Sequence, residues 1–284
     1  MVDLRNIQII AEKELRDALR NRWFIIFSLA FAGLALSLSL LSQSGNSQMQ
    51  LASYSRTTAS LVNLVLLFVP LIGLTLGATN LTGDCETGTL TYLLAQPVNR
   101  LEVLLGKYLG VAGALFAALA LGFGLAGLVL AVQGSIQDAV GYLLTVMIAY
   151  LLALAMLSLG FLVSTYSQRT ATALGGALFL WLFLVFIGDL GIMGTTIATR
   201  MPVDLMFWVT SLNPLQMFKF ASILIIQANL EVLGPAGLYA TSQFGNLLLP
   251  IMLGGLLVWI LAPLSLAATA FARQERFSQR KDRV

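Results

Sequence analysis

Residues Leu109–Val132 read LGVAGALFAALALGFGLAGLVLAV, a run without one charged side chain. About 20 such residues in helical form cross the roughly 30 Å of a bilayer's hydrocarbon, and a charge at its centre costs about 2.5–3.5 kcal/mol. Five more runs of this kind flank it, at Trp23–Leu41, Ser60–Leu81, Val140–Thr165, Thr172–Gly188 and Asn246–Ala272. They do not alternate polar and apolar residues as outer-membrane barrel strands do, so they are read as helices. Composition agrees. Of 284 residues 58% are apolar and 10% charged, where an ordinary soluble domain has about 25% charged, and mean hydropathy is +0.88. A soluble core could not hide that much apolar surface. The expected fold class is an all-α membrane protein with six transmembrane helices, a single membrane domain over residues 1–284.

The basic residues set an orientation. With both termini on the cytoplasmic side, the inner segments are 1–22, 82–108, 166–171 and 273–284. They carry all but three of the 16 Lys and Arg residues, leaving Arg56, Arg200 and Lys219 outside. That is the bias of the positive-inside rule. The net charge of +3 therefore reports loop topology rather than nucleic-acid binding. The first span follows a 22-residue polar lead of mixed charge without a convincing small-residue cleavage site, so it is expected to stay as an anchor.

The same inventory argues against catalysis. Histidine is absent and Cys85 is the only cysteine, which removes His-based acid–base or metal chemistry and multi-Cys clusters. No G-x-x-x-x-G-K-[ST] phosphate loop occurs, so any ATP and Mg belong on another chain. Gly122-x-Gly124-x-x-Gly127 matches a dinucleotide fingerprint but lies inside a span with no strand before it. Small residues there, like Gly106-x-x-x-Gly110 and Gly175-Gly176, are read as sites of close helix approach. Gly188-Asp189 echoes intramembrane aspartyl proteases, but Phe186 replaces their first glycine and no second span carries an aspartate for the required pair. Asp189 remains the one acid touching a span, either functional or simply reaching the interface.

Two inner segments have structure of their own. Residues 3–21 place Leu4, Ile7, Ala11, Leu15 and Ala18 on one stripe, with Glu12–Arg16 and Lys13–Asp17 pairs elsewhere on the surface, an amphipathic helix expected along the interface. Between spans two and three the chain reads GDCETGTLTYLLAQPVNR over residues 83–100 and reaches Gly106-Lys107. Gly88-Thr89 marks a helix start, Leu90, Leu93 and Leu94 share a face, and Pro97 stops it. A second short helix through Leu101, Leu104 and Leu105 is expected to lead into span three. On residues alone, an ordinary inner loop is the favoured reading.

The segment resembles the signature of ABC-2-type permeases, in which Gly-Glu-x-Glu-x-Gly-Thr-Leu-x-x-Leu-Leu-x-x-Pro-Val-x-Arg precedes a Gly-Lys pair. Gly83, Glu86, Gly88, Thr89, Leu90, Leu93, Leu94, Pro97, Val98, Arg100, Gly106 and Lys107 match; Asp84 replaces the usual Glu, and Cys85 and Thr87 stand where basic residues are frequent. The openings 12–22 and 212–224 are similar to the NosY branch of this superfamily. The resemblance implies a coupling segment over 82–108, with Asp84, Glu86, Gly88, Thr89, Leu90, Leu93, Leu94, Pro97 and Arg100 meeting a partner ATPase. It further implies a homodimeric permease in the bacterial inner membrane. Its partners would be a NosF-like ATPase pair and a periplasmic NosD-like protein, acting in copper-centre maturation of nitrous oxide reductase. An ABC-2 exporter of a drug, peptide or lipid, and a non-transporting scaffold, stay open beside it.

The outer segment 189–245 is long and only partly polar, and is expected to form an extracytoplasmic cap containing an amphipathic helix over Leu215–Ile226. It holds Met193, Met201, Met206 and Met217. Thioethers are soft ligands suited to Cu(I), and equally they fill gaps in packing.

Overall fold

A computed structural model of the chain describes residues 3–43, 50–131, 136–198, 203–226, 239–240 and 242–273. Within them the elements are helical: α1 Leu4–Arg20, α2 Arg22–Gln43, α3 Gln50–Thr87, α4 Thr89–Leu94, α5 Arg100–Ala131, α6 Ile136–Tyr166, α7 Thr170–Ala198, α8 Val203–Ser211, α9 Pro214–Ile225 and, after a 3-10 turn at Gly245–Leu247, α10 Leu248–Arg273. Six stretches are long and apolar enough to span a bilayer: Arg22–Leu41, Ala59–Thr87, Arg100–Val129, Val140–Tyr166, Thr170–Gly188 and Ser242–Arg273. They coincide with the six charge-free runs and overrun several of them.

The overrun is informative. α3 has 38 residues and α5 has 32, about 57 Å and 48 Å at 1.5 Å per residue, well beyond the hydrocarbon's depth. Hydropathy ends where charges begin, but backbone hydrogen bonding does not. The second short helix expected before span three is accordingly absent: Arg100–Ala131 is one continuous helix. Likewise α7 does not stop at Gly188 but passes Asp189 and runs to Ala198.

The helices pair chiefly as α3 with α6, α1 with α5, α10 with α6 and α2 with α5. Glycines set the closeness of the α3–α6 crossing. A Cβ at Gly77 of α3 would stand 2.6 Å from the Leu157 carbonyl oxygen and 2.9 Å from the Gly160 backbone, and one at Gly160 would stand 2.6 Å from the Leu74 oxygen. Backbones this close are the membrane use of small residues, since lipid supplies little hydrophobic drive between helices. Gly106 and Gly110 do the same for α1, facing Ile10 and Ile7 and then Ala11 and Glu14. Gly122 meets Phe31 of α2, whereas Gly124 and Gly175 face open space. Replacing Gly124 by Ala should therefore leave thermal stability in detergent unchanged or slightly raised, since Ala is the better helix former by about 1 kcal/mol.

α1 buries most of the expected stripe: Ile7 is buried and Ala11, Leu15 and Ala18 are half-buried, with Ile10 and the Glu14 carboxylate buried beside them against α5, while Leu4 at the helix start is 79% exposed.

At the opposite end of the bundle, α9 is nearly enclosed, with Pro214, Leu215, Gln216, Phe218, Phe220, Ala221 and Ser222 buried. It starts where Asn213 accepts from the Leu215 N–H (3.0 Å), with Pro214 in the first turn where its missing N–H costs nothing. The Asn213 amide also donates to the Leu184 carbonyl of α7 (2.6 Å), and Trp259 of α10 donates to the Leu212 carbonyl (3.0 Å). Phe207 of α8 stacks on Phe244 at 5.4 Å and meets Phe220 edge-on at 6.1 Å.

Candidate functional site

The expected coupling residues gather at the end of the bundle where α3 hands over to α5. α3 runs to Thr87; Gly88 then reverses the chain at φ +77° and opens the six-residue α4. That left-handed conformation is why a glycine stands there. Gly88→Ala should cost about 1–2 kcal/mol in thermal stability although nothing lies within 4 Å of its Cβ position. α4 closes with the Ala95 N–H on the Thr91 carbonyl (3.1 Å), ahead of Pro97, which has no N–H to continue it.

The faces of α4 are unequal. Leu90 is 1% exposed, and Leu93 and Leu94 pack against the core. These leucines hold the helix down, so the exposed surface of the segment is Thr89, Thr91, Gln96 and above all Tyr92, which is 76% exposed. Tyr92 was not among the expected site residues; its place opposite the Leu90–Leu93–Leu94 stripe was the signal.

The acids and bases on either side of α4 tie α3 and α5 to neighbouring helices. Glu86 accepts from the Thr170 N–H (2.9 Å) and hydroxyl (2.6 Å), putting a carboxylate at the first residue of α7, where the helix dipole favours it. Glu102 reaches back to the Asn99 N–H (3.1 Å), half of a capping box on α5. It also accepts from the Asp3 N–H (2.8 Å) and the Asn6 amide (3.0 Å), binding the start of α1. Arg100 donates to the Phe271 carbonyl at the end of α10 (3.4 Å).

At the centre lies a buried charge cluster. Lys107 of α5, 1% exposed, pairs with Glu14 of α1 at 2.7 Å and with Asp84 of α3 at 2.5 Å. Asn80 of α3 donates to the other Glu14 oxygen (3.0 Å), and Lys13 approaches Glu14 at 3.4 Å and Asp17 at 3.2 Å. One ammonium thus joins three helices. Burial pushes the Glu14 carboxyl up, but Lys107, the Asn80 amide and Lys13 together outweigh it and hold the group below its ordinary 4.5. Burial likewise lowers the Lys13 ammonium, and Glu14, Asp17 and Asp84 more than reverse that. A carboxylate with a depressed folded pKa contributes stability that is full above its unfolded value and lost as pH falls through the folded one. Wild type should therefore lose more thermal stability than Glu14→Gln below about pH 4.5, and the two should run parallel from pH 5 to 8.

Glu14 was missed by sequence reasoning although it lies on the apolar stripe, four residues after Ile10. A carboxylate on a burying face demands a buried cation. Of the surface pairs expected on α1, Lys13–Asp17 is formed, while Glu12 accepts instead from Gln8 (3.1 Å).

The other expected residues do not join this site. Met217 lies on α9 with its thioether against the Gly255 position of α10, a packing contact. Met201 lies outside the described residues, and Met193, Met206 and Asp189 are placed by their helices alone. Among the described residues there is no group of three or more Cys, Asp or Glu able to hold a metal.

Comparison with known proteins covers nearly the whole chain. The family described as ABC-2 family transporter protein matches residues 8–276. A curated relative from Stutzerimonas stutzeri, named probable ABC transporter permease protein NosY, is 31% identical over 273 residues, covering 93% of this chain and 97% of its own. A protein of the same name from Pseudomonas aeruginosa is 33% identical over 220 residues, covering 75% and 80%.

Proposed function

This chain belongs to the ABC-2 transporter family as a multi-pass membrane permease subunit, and from that premise we propose that it is a lever worked by a separate ATPase at α4. In this reading a NosF-like subunit supplies ATP and Mg and seats on the Thr89–Gln96 surface around Tyr92. Asp84, Glu86 and Arg100 then pass the displacement into the bundle. Two copies of the permease form the working unit in the inner membrane with both termini cytoplasmic. The outer α8–α9 region meets a NosD-like periplasmic protein, and the task served is copper-centre maturation of nitrous oxide reductase.

The observation that carries the reading is the wiring of the α4 turn. The helices on either side of the twelve-residue stretch, α3 and α5, are fastened to α1, α7 and α10 through Lys107–Glu14, Glu86–Thr170 and Arg100–Phe271. Stiff helices joined at such a node move together when it is pushed. The maturation role is supported by the names of the relatives and by the 12–22 and 212–224 similarities. Copper would be cargo here, with Met193, Met201 and Met206 as its soft ligands, the Met217 thioether being taken up by packing on Gly255. Changing these three to Leu should lower maturation; unchanged maturation removes the copper role.

Two measurements test the rest. Tyr92→Arg should abolish co-purification of the ATPase subunit while leaving the permease's thermal stability unchanged, because the ring is exposed. Deleting the chain in a denitrifying host should yield nitrous oxide reductase without its copper centre. Fully loaded reductase would overturn the maturation role and favour an exporter of a drug, peptide or lipid.

A further inference from the structure

We infer that the outward face of α1 binds the phosphate groups of anionic lipids. Arg16 and Arg20 are one helical turn apart, and Arg5 precedes Arg16 by three turns on the same face. Arg22 follows directly at the start of α2. All four are exposed and form no ion pair among the described residues. Of the nearby acids, Asp3 caps its own helix, Glu14 pairs with Lys107 and Asp17 with Lys13, while Glu12, exposed one turn before Arg16, accepts from Gln8 and offsets one of the four charges.

The level of this face in the bundle selects the ligand. α1 lies along α5 from Glu102, outside the charge-free run that begins at Leu109, to Gly113 within it. One non-helical residue, Asn21, then leads into the first span. Arg16, Arg20 and Arg22 therefore sit near the depth where the hydrocarbon ends, with Arg5 three turns back toward Glu102, and Arg side chains there extend toward the headgroups. Beside them Leu19 is 42% and Trp23 72% exposed; an exposed Trp at a span's head belongs to the interface. Cationic heads beside apolar anchors at this level match a lipid whose phosphate is not neutralised by its own headgroup. The inference does not depend on how α4 is used.

The test is hydrogen exchange of the α1 amides in the full-length chain reconstituted in nanodiscs. Wild type is compared in phosphatidylcholine alone and with a third of the lipid replaced by phosphatidylglycerol. Phosphatidylglycerol should slow exchange by roughly fivefold per engaged arginine, and high salt should remove the slowing. Arg16→Gln with Arg20→Gln should match wild type in phosphatidylcholine and lose most of the response. Equal exchange in the two bilayers, or a response retained in the variant, overturns the inference. So does a slowing produced equally by inorganic phosphate in phosphatidylcholine, or one that appears only when the ATPase subunit is added.

Discussion

Lys107→Ala should lower the chain's thermal unfolding temperature in detergent by roughly 10 °C, the largest loss expected of any single side chain. The substitution leaves the Glu14 and Asp84 carboxylates facing each other without their ammonium, in a site where Lys107 is 1% exposed. Removing one partner of a buried ion pair costs about 3–5 kcal/mol, because the remaining charge is stranded rather than because the pair was strong. The distinction is testable. Lys107→Met combined with Glu14→Gln and Asp84→Asn removes all three charges at similar volume and should recover most of the loss. A Lys107→Ala protein as stable as wild type would mean the cluster is not buried as described. A triple variant as unstable as the single would mean the attraction itself holds α1, α3 and α5 together.

Gly77→Ala and Gly160→Ala carry the next largest effect. Each new methyl would be driven into the opposing backbone at 2.6 Å, and backbone cannot rotate away as a side chain does. α3 and α6 must separate, at about 1–3 kcal/mol for each substitution. The two sites meet each other, so the double variant should cost less than the sum. Thermal denaturation of both singles, the double and the Gly124→Ala control decides it. Two singles indistinguishable from the control would place the α3–α6 contact elsewhere.

The sequence made the fold class and the spans legible because both depend on composition over long windows. The helix limits were less so. Leu109 opens the charge-free run, yet α5 begins at Arg100, because helix ends follow capping by Asn99 and Glu102 rather than hydropathy. Glycines presented a related ambiguity. Gly106, Gly110 and Gly124 look alike in sequence, but only the first two face another helix, and Gly77 with Gly160, which make the α3–α6 crossing, were not singled out. Which side of a uniformly apolar helix meets protein is decided by its neighbours and not by its own residues.

The local structure of residues 83–100 was legible in outline, and their pattern of exposure was not. Gly88, Thr89 and Pro97 bound α4 as their turn chemistry suggests. The leucines expected to meet a partner instead hold α4 against the bundle, and the exposed ring of Tyr92 takes their place at the surface. Long-range pairing was hidden altogether. Lys107 finds Glu14, and Glu86 finds Thr170, across sequence separations that periodicity cannot bridge.

The central claim is that force entering at α4 reaches the far end of the bundle, and hydrogen exchange of the α9 amides Leu215–Ile225 measures it most directly. In the reconstituted complex with its ATPase subunit, ATP should change α9 exchange in the wild-type permease. With Glu86→Lys and Arg100→Glu, which cut the ties to α7 and α10, ATP should still be hydrolysed while the α9 response is lost. An α9 response of wild-type size in that variant would contradict the account.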